Sequence, residues 1–375
     1  MTGTRADYGL LRPVMRELDA MDRFELQVIA TGTHLSPEFG RTVSTIEDDG
    51  FTVHEHVEML LSSDTPVGVT KSLGLAAIGM AESFERLHPD LVLLLGDRYE
   101  ILATAQAALV ARIPVAHLCG GDVTEGAIDD SMRHAITKLS HLHFVTNAEA
   151  ARRVIQMGET PEHVSTVGNP GLDELVRSQP LSASELEATL GLRLRPQNVL
   201  VTYHPATLAE EPPAPSFAEV LAALDALGPE VGIVLTLSNA DTGGRILIEM
   251  ARAFADERDN AVAHDSLGQV RYYSCLKAFD AVIGNSSSAL MEAPVTGTPA
   301  VNVGERQRGR LRAASAIDCP VDRTAIEHAI RRALAWADVP VDSPHGDGQA
   351  TSRIIQTLLR LEDPAALLQK RFHRL

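Results

Sequence analysis

An aspartate and an arginine stand directly after an apolar run that is typical of a buried strand. Asp97 and Arg98 follow residues 91–95, which read Leu-Val-Leu-Leu-Leu. A run of branched apolar residues between a Pro-Asp pair and a Gly favours a parallel strand that is covered on both faces. Open α/β sheets bind their ligands beyond the carboxyl ends of such strands. We therefore predict that Asp97 and Arg98 lie in the functional crevice.

A polar loop after the next short strand, predicted at residues 114–118, adds further acids. The loop contains Glu125 and runs into a helix with Asp129 and Asp130 at its start and Arg133 one turn later. Side chains at i and i+4 share a helix face, so Asp129 can pair with Arg133. Such pairs are commonly surface features worth little energy, although acids are favoured at a helix start. Because several carboxylates beside an arginine also suit acid–base chemistry, they are candidate catalytic groups.

Ser286 and Ser287 follow a strand that is predicted to end at residue 283, and they precede a helix predicted at residues 289–295. Backbone N–H groups at a helix start, together with two hydroxyls, can bind a phosphate without net positive charge. Plain helix capping by serine is the ordinary alternative. Glu292, one turn further, can accept hydrogen bonds from two ribose hydroxyls. This stretch is therefore a candidate nucleotide site.

Three more polar residues are predicted near strand ends in the same half of the chain. Arg306, in the loop at 304–309, would supply a cation for a diphosphate, unless it is an ordinary solvated arginine. His204, after a strand predicted at 199–203, would donate to a phosphate or transfer a proton, unless it is a satisfied structural histidine. Asn239 offers a neutral hydrogen-bonding group at the next strand end.

Strands and helices alternate along the whole sequence, which indicates parallel sheets with right-handed crossovers. We predict an α/β protein with two doubly wound, Rossmann-like parallel-sheet domains that face each other across a cleft. The first domain spans residues 1–177 and the second spans residues 178–349, while residues 350–375 return to the first as helices at 350–361 and 365–372. The strands predicted in the second domain lie at residues 199–203, 231–237, 281–283 and 300–303.

The beginning of the sequence is unusual for this architecture. Residues 1–8 form a Gly-containing turn that leads into an amphipathic helix at 9–21. In nucleotide-binding halves such a turn normally follows a first strand. Either the sheet lacks that strand or the start codon is assigned late, and the strand-turn-helix pattern favours the second interpretation.

Composition limits the class of protein. A length of 375 residues favours two domains, and the net charge of −17 argues against nucleic acid or a membrane surface as the partner. The sequence has three cysteines without a CxxC pair and no signal peptide, and its apolar runs stay well below the ~20 residues of a membrane span. We expect a soluble cytoplasmic protein. The histidines at 117, 134, 141 and 143 match no metal-binding spacing, so no metal is predicted.

One family combines these motifs, and the chain resembles it over nearly its whole length: the hydrolysing UDP-N-acetylglucosamine 2-epimerases. The block Asp-Asp-Ser-Met-Arg-His-Ala-Ile-Thr-Lys at 129–138 is specific to the hydrolysing branch. The other motifs are Thr-Arg-Ala-Asp-Tyr at 4–8, Gly-Thr-His at 32–34, Gly-Asp-Arg at 96–98, Gly-Gly-Asp-Val-Thr-Glu-Gly-Ala-Ile at 120–128, His-Pro at 204–205, Gly-Asn-Ser-Ser at 284–287 and Gly-Thr-Pro at 297–299.

The resemblance implies a GT-B fold, a nucleotide sugar in the cleft, and a dimer or tetramer. It implies conversion of UDP-N-acetylglucosamine to N-acetylmannosamine and UDP, as in sialic-acid biosynthesis, by anti elimination to a C1=C2 glycal and then addition of water. No redox cofactor is required. The residues that resemble the UDP site are Arg5, Arg98, His204, Asn239, Ser286, Ser287, Glu292 and Arg306. Those that resemble the catalytic set are His34, Asp97, Asp129, Asp130 and Arg133, and which carboxylate removes the C2 proton stays open.

Cys119 departs from the family pattern, because some members carry a catalytic glutamate there. A thiol is a poor replacement for a carboxylate, so either Asp122 or Glu125 takes over the role or the activity is altered. Three other functions stay open: a 2-epimerase of a UDP- or GDP-linked 2,4-diacetamido sugar of the legionaminic-acid pathway, a GT-B glycosyltransferase, and a nucleotide-sugar-binding protein without activity. The acidic loop argues against the transferase, which needs fewer acids.

Overall fold

Parallel strands and helices alternate along the chain and divide into two units. A computed structural model describes residues 1–63, 65–123, 128–205, 213–237 and 244–374. Unit 1 comprises Met1–Asp173 and Gly348–Leu375, and unit 2 comprises Glu174–Asp347. Within the described ranges, the helices are too short or too polar to cross a membrane.

The helices and strands are numbered in chain order. The helices are α1 (Arg5–Asp19), α2 (Val43–Asp48), α3 (Pro66–Leu87), α4 (Tyr99–Ala111), α5 (Ile128–Leu139), α6 (Ala148–Gln156), α7 (Gly171–Arg177), α8 (Ala183–Leu190), α9 (Pro213–Asp225), α10 (Gly244–Asp256), α11 (Gly268–Ala278), α12 (Ser288–Met291), α13 (Ala293–Thr296), α14 (Arg323–Leu334) and α15 (Ala350–Leu359). The strands are β1 (Val28–Thr31), β2 (Val53–Val57), β3 (Val92–Leu95), β4 (Val115–Leu118), β5 (Leu142–Val145), β6 (Val164–Thr166), β7 (Gln197–Thr202), β8 (Val231–Thr236), β9 (Ala261–His264), β10 (Ala281–Gly284), β11 (Ala300–Val303) and β12 (Ala316–Cys319).

The strand pairs of unit 1 are parallel and fall into two sheets. Strand β1 pairs with β2, while β3, β4, β5 and β6 form a four-stranded sheet in that order. Thr2 adds an isolated parallel bridge to Ala30 of β1. The strand predicted at 91–95 is β3, and its side chains alternate between two buried clusters, as expected for a strand that is covered on both faces.

The carboxyl-terminal segment belongs to unit 1. Ile354 and Leu358 of α15 are buried in the same cluster as Leu11 and Val14 of α1. Each of these side chains is at most 6% exposed, so α15 covers apolar surface that α1 would otherwise present to water.

The helix predicted at residues 365–372 is wrong. Residues Pro364–Leu368 form a short 3-10 turn, and the chain beyond it is not helical. The reason is a tertiary contact, because Lys370 Nζ donates to the carbonyl oxygens of Lys138 and Ser140 at 2.8 and 2.6 Å. These bonds hold the tail in an extended path along unit 1.

Unit 2 contains a six-stranded parallel sheet in the order β12-β11-β10-β7-β8-β9. The chain moves outward from β7 through β8 to β9 and then returns to the other side of β7 at β10. This is the strand order of dinucleotide-binding sheets, which bind ligands where the order reverses, here between β7 and β10. The predicted fold class, two Rossmann-like parallel-sheet domains, is confirmed.

Two strands of unit 2 were not predicted, and both lie at the sheet edges. Strand β9 is partly exposed from Val262 to His264, and β12 contains the exposed Asp318. An edge strand need not be a continuous apolar run, which is the signal that identifies central parallel strands.

Candidate active site

Three loops of unit 1 meet at the carboxyl ends of β1 and β3. The carbonyl oxygen of Gly3 accepts hydrogen bonds from the hydroxyl of Thr33 at 3.1 Å and the backbone N–H of His34 at 3.4 Å. Gly3 also lies against Glu100, because a Cβ on Gly3 would be 2.8 Å from Glu100 Oε1. The turn before α1, the exit of β1 and the start of α4 thus form one edge. Arg5 is exposed at the start of α1, just after this turn.

Arg133 forms the centre of the acidic cluster in unit 1. Its Nη2 donates to Asp97 Oδ2, and its Nη1 donates to the carbonyl oxygen of Asp122 at 2.8 Å. The same Nη1 lies 3.6 Å from Asp130 Oδ1. The side chain of Arg133 is only 8% exposed, whereas that of Asp97 is 24% exposed. A buried guanidinium therefore holds two half-buried carboxylates, and the structure brings the predicted residues Asp97, Asp130 and Arg133 together.

The first two turns of α5 place two more polar side chains near this cluster. His134 Nε2 lies 3.5 Å from Asp130 Oδ2, at the i, i+4 spacing expected from the sequence. Asp129 is half-buried in the first turn of α5. The predicted acid Glu125 lies outside the described residues.

Arg98 is held by an acid that was not predicted. Arg98 Nε donates to Glu100 Oε1 at 2.5 Å, and the Glu100 side chain is 1% exposed. Burial raises the pKa of Glu100, against the lowering effect of Arg98. The guanidinium of Arg98, with a side chain that is 43% exposed, remains open to solvent on its other side. This pair can orient a cation toward an anionic ligand.

His34 is buried, with both ring nitrogens in hydrogen bonds. Its Nε2 lies 3.0 Å from the hydroxyl of Thr2, and its Nδ1 lies 2.9 Å from the hydroxyl of Thr42. Burial lowers the pKa of His34. This placement favours a role in holding the turn before α1 over direct proton transfer to a substrate.

Cys119, the departure from the family pattern, is not an acid–base group in this setting. Burial raises the pKa of its thiol, and the neighbouring Asp122 raises it further, so the thiol stays protonated at neutral pH. Asp122 Oδ1 accepts hydrogen bonds from the hydroxyl of Thr146 at 2.7 Å and the amide of Asn147 at 3.4 Å. Whether Asp122 or Glu125 replaces the family glutamate stays a prediction.

The remaining histidines of this stretch are structural. His117 Nε2 is 2.8 Å from the carbonyl oxygen of Gly96, and burial lowers the pKa of His117 to about 3. His143 Nε2 is 3.0 Å from the buried carboxylate of Glu159. Among the described residues, no cluster of three His, Cys, Asp or Glu side chains is arranged to hold a metal ion.

In unit 2, a buried asparagine connects the loops on both sides of the strand reversal. The Asn285 side chain accepts a hydrogen bond from the backbone N–H of His204 at 2.7 Å and donates to its carbonyl at 2.8 Å. The carbonyl oxygen of Asn285 accepts from Arg306 Nη1 at 3.0 Å and Gln307 Nε2 at 2.8 Å. The exits of β7, β10 and β11 are therefore held together, and the predicted residues His204 and Arg306 meet at the loop that contains Ser286.

The helix predicted at 289–295 is interrupted. It consists of α12 and α13, four residues each, with a break at Glu292 just before Pro294. Proline lacks the N–H that would continue the hydrogen-bond ladder. Because α12 is only four residues long, its dipole is small. The candidate phosphate-binding site therefore depends on the half-buried hydroxyls of Ser286 and Ser287 and on backbone N–H donors.

Glu292 is half-buried next to a tyrosine that was not predicted. Tyr272 donates its hydroxyl to Ser288 Oγ at 2.5 Å. Burial raises the pKa of Glu292, while a hydrogen bond from Ser288 lowers it, and the Glu292 charge in turn raises the pKa of Tyr272. The carboxylate thus lies in a polar pocket of hydroxyls, where a ribose would find hydrogen-bond partners.

The sequence predicted the charged and hydroxyl residues of the cluster in unit 1 and of the stretch around Ser286 in unit 2. It did not predict Glu100 and Asn285, which hold those residues in place. Asn285 was inside a recognised motif, and its position between Gly284 and Ser286 at the reversal point was an available signal. A Cβ at Gly284, where φ is 132°, would overlap the carbonyl oxygen of Thr202, so the chain needs Gly there. Glu100 carried no such signal, because an acid in a first helical turn is ordinary. Asn239 lies outside the described residues.

Comparison with known protein families identifies the family. The family profile described as UDP-N-acetylglucosamine 2-epimerase matches residues 16–359. The chain belongs to this family. The resemblance inferred from the motifs is therefore confirmed.

Relatives within the 2-epimerase family differ in their sugar. The chain is 39% identical to the GDP/UDP-N,N'-diacetylbacillosamine 2-epimerase (hydrolyzing) of Campylobacter jejuni, over 86% of this chain and 84% of that protein. It is 36% identical to the UDP-N,N'-diacetylbacillosamine 2-epimerase (hydrolyzing) of Legionella pneumophila, over 99% of this chain and 97% of that protein. It is 30% identical to the UDP-N-acetylglucosamine 2-epimerase of Neisseria meningitidis, over 99% of this chain and 97% of that protein.

The fold is also that of solved family members. A crystal structure of UDP-GlcNAc 2-epimerase from Neisseria meningitidis, bound to UDP-GlcNAc, superposes with a TM-score of 0.78 and 17% identity over 96% of this chain and 98% of that one. At this level of identity the match shows the fold alone.

Proposed function

We propose that this protein is a hydrolysing 2-epimerase of a nucleotide-linked N-acetylated amino sugar, and that its preferred substrate is UDP-N,N'-diacetylbacillosamine. The Asp97–Arg133 ion pair carries the proposal. It holds a carboxylate, a possible acid–base group, against a buried guanidinium just beyond the end of β3, in a chain that belongs to the 2-epimerase family. The substrate choice follows the relatives named for that sugar, at 39% and 36% identity, against 30% for the relative named for UDP-N-acetylglucosamine.

Each unit has its own role in this proposal. The set around Asn285, with Ser286, Ser287, Glu292 and Arg306, binds the uridine diphosphate. Donors that face the diphosphate stabilise the charge that develops as it leaves. Arg98 and Arg5 of unit 1 are further cations that can bind an anionic ligand.

The carboxylates of unit 1 act on the sugar. One of them removes the proton at C2 while the C1–O bond to the diphosphate breaks, which gives a glycal with a C1=C2 double bond and free UDP. Water then adds its oxygen to C1, and a proton is returned to C2 on the opposite face. Both proton transfers need a positioned acid or base, and Asp97, Asp129 and Asp130 are the candidates. The net reaction consumes one water and releases the 2-epimeric free sugar and UDP.

The substrate proposal is tested by measuring nucleotide release from UDP-N,N'-diacetylbacillosamine, its GDP-linked counterpart and UDP-N-acetylglucosamine under identical conditions. We expect kcat/KM for the UDP-linked diacetamido sugar to exceed that for UDP-N-acetylglucosamine by about tenfold or more, the usual scale on which a pocket distinguishes substrates that differ in small ring substituents. A preference for UDP-N-acetylglucosamine would reinstate the sialic-acid-type reaction as the function. A nucleotide-linked 2-epimer as the product would contradict the hydrolysing reaction.

A further inference from the structure

Helix α5, which carries Arg133 and two of the candidate acids, is held to the core of unit 1 by little apolar surface. Of its 12 residues, Arg133, Ile136 and Thr137 are buried, and Ile136 is the one apolar side chain among them. At the start of the helix, Ile128 is 72% exposed. Because stabilisation by burial grows with the apolar area that is removed from water, polar contacts must contribute to fixing this helix.

The end of α5 is capped by an ammonium group from a segment far away in sequence. Lys370 Nζ donates to the carbonyl oxygens of Lys138 and Ser140 at 2.8 and 2.6 Å. Carbonyl groups at the end of a helix lack partners within the helix itself. A positive charge is also favourable there, because the helix dipole is negative at this end. One side chain thus satisfies two backbone acceptors and the dipole of α5.

The same ammonium group is held by a buried carboxylate. Lys370 Nζ lies 2.7 Å from Glu159 Oε2, and the Glu159 side chain is 2% exposed. Lys138 Nζ donates to the other oxygen of Glu159 at 2.5 Å, and His143 Nε2 lies 3.0 Å from Oε2. Removing one cationic partner from a buried carboxylate is costly. Because Lys138 belongs to α5, this carboxylate binds the helix and the distant segment together.

Two further contacts hold the tail, residues 369–374, beside α5. The backbone N–H of His373 donates to Gly158 O at 2.8 Å. The ring of Phe372 lies so close to Gly158 that a Cβ at this position would overlap the ring. Lys138 Nζ lies 5.1 Å from the centre of the same ring, within the range of a cation–π interaction. The tail is therefore fixed by backbone, ionic and ring contacts around the end of α5.

We propose that Lys370 is a positioning residue for the reaction of the candidate active site, an inference that rests on the function proposed above. Lys370 acts through α5 and not on the substrate. At 1.5 Å per residue, Lys138 lies about 7.5 Å from Arg133 along the helix, so a shift at the capped end moves Arg133 as well. Arg133 in turn holds the carboxylate of Asp97. The tail thereby fixes the geometry of the acid–base groups.

The test compares Lys370→Met with a lysine variant that loses the same kind of cap elsewhere. Methionine removes the ammonium group and keeps an unbranched side chain. Lys277 is the matched control, because its Nζ donates to the carbonyl oxygens of Val176 and Ser178 at 3.3 and 2.5 Å, at the end of α7. No predicted site residue lies in α7. The kcat and KM are measured with the nucleotide sugar that the parent chain converts fastest, together with the Kd for UDP and the Tm.

We expect the kcat of Lys370→Met to fall about tenfold or more, since displacing a catalytic group by ~1 Å can cost ~100-fold. The KM and the Kd for UDP should change little, and amide hydrogen exchange in residues 128–139 should become faster. Lys370→Arg, which keeps a cation at this position, should restore most of the lost kcat. Lys277→Met should lower the Tm without lowering kcat.

A second variant tests the tail without changing Lys370. Phe372→Ala replaces a ring that is 71% exposed, so its folding is not at risk. We expect a smaller fall in kcat, about twofold or more, which is the scale of an exposed cation–π contact. If Lys370→Met does not fold, an unchanged kcat in Phe372→Ala overturns the proposal.

The outcome for the parent chain separates this inference from the proposed function. An active parent chain with an unchanged kcat in Lys370→Met, or with an equal loss in Lys277→Met, would overturn the role of Lys370 alone. A loss of kcat that Lys370→Arg does not restore would also overturn it. A parent chain without turnover on the three nucleotide sugars would overturn the proposed function, and this inference with it.

Discussion

The two units of this protein build the same kind of parallel sheet but use different contacts to hold the loops at its ligand edge. In unit 1 the edge holds ions, with Arg133 bound to Asp97 and Arg98 bound to Glu100. In unit 2 the corresponding position holds a neutral amide, Asn285, which connects three loops through four hydrogen bonds. In the proposed function, the ion pairs of unit 1 serve proton transfer, whereas in unit 2 Asn285 fixes the loops that carry the nucleotide-binding residues, including the charged Glu292 and Arg306.

The same contrast extends into the interior of the two units. Burial lowers the pKa of four histidines in unit 1: His34, His117, His141 and His143. The polar interior of unit 2 relies instead on hydroxyls and amides, such as the Thr202–Thr236 hydroxyl pair at 2.5 Å and Asn260. The two units should therefore respond differently to substitution and to pH.

The largest effect is expected from Asp97→Asn, which removes a charge from unit 1 and keeps the shape of the side chain. We expect kcat to fall by about 10³-fold, because positioned acid–base groups contribute on that scale. The affinity for UDP should change little, since Asp97 is not among the residues proposed to bind UDP. Nucleotide release and calorimetric UDP binding measure the two quantities. Asp225→Asn, an exposed acid in unit 2, is the matched control, and loss of UDP binding with intact turnover would reverse the assignment of the two units.

A smaller effect, on binding, is expected from Asn285→Ala. The substitution removes both side-chain hydrogen bonds between Asn285 and the backbone of His204, so the exits of β7 and β10 are no longer held together, while the bonds from Arg306 and Gln307 to the backbone carbonyl of residue 285 are kept. We expect the Kd for UDP to rise about tenfold or more, which corresponds to ~1.4 kcal/mol. Asn260→Ala removes another buried amide of unit 2, one that donates to Val231 O at 2.7 Å. That control should lower stability without weakening UDP binding. If both variants bind UDP equally, Asn285 is a packing residue.

The smallest effect is expected from lowering the pH, which should destabilise unit 1 before unit 2. Burial lowers the pKa of His117 to about 3 and that of His141 to about 4, from an ordinary value of 6.5. Below pH 6.5 the unfolded chain takes up protons that the folded unit does not, so stability is lost as pH falls toward those lowered values.

Glu159 adds to the acid sensitivity of unit 1 over a lower range. Burial opposes its ionisation, but hydrogen bonds from His143, Lys138 and Lys370 outweigh burial and lower its pKa from 4.5 to about 2. Its contribution to stability is present above pH 4.5 and is lost as pH falls toward about 2.

Hydrogen exchange between pH 7 and pH 4 should show faster opening of unit 1 than of unit 2. His141→Asn, which keeps an acceptor for Val115 N–H, should reduce that difference. Simultaneous opening of both units would contradict the contrast.

The sequence was sufficient for the parts of the fold that depend on local pattern. Strands β3 and β4 and the residues after them were predicted because central parallel strands are continuous apolar runs. Strands β9 and β12 were missed because edge strands are partly exposed, and the tail helix failed because Lys370 bonds to residues far away in sequence.

The candidate site was predictable only in part, for a related reason. Asp97, Arg98, Arg133, Ser286 and Arg306 were selected by charge or hydroxyl type, and their motifs carried the resemblance. Asn285 and Glu100 act through contacts with residues distant in the chain or buried around them, and local pattern does not encode those contacts. For Asn285 the motif at residues 284–286 was an available signal of importance but not of its partners, whereas the importance of Glu100 became visible only when its burial was known.

Hydrolysing 2-epimerisation is tested most directly by proton NMR of the purified protein with UDP-N,N'-diacetylbacillosamine in deuterated water. We predict free 2-epimeric sugar with deuterium at C2, together with free UDP, because a carboxylate of unit 1 removes the C2 proton and solvent returns a deuteron. Product that keeps its original C2 proton would contradict elimination through a glycal.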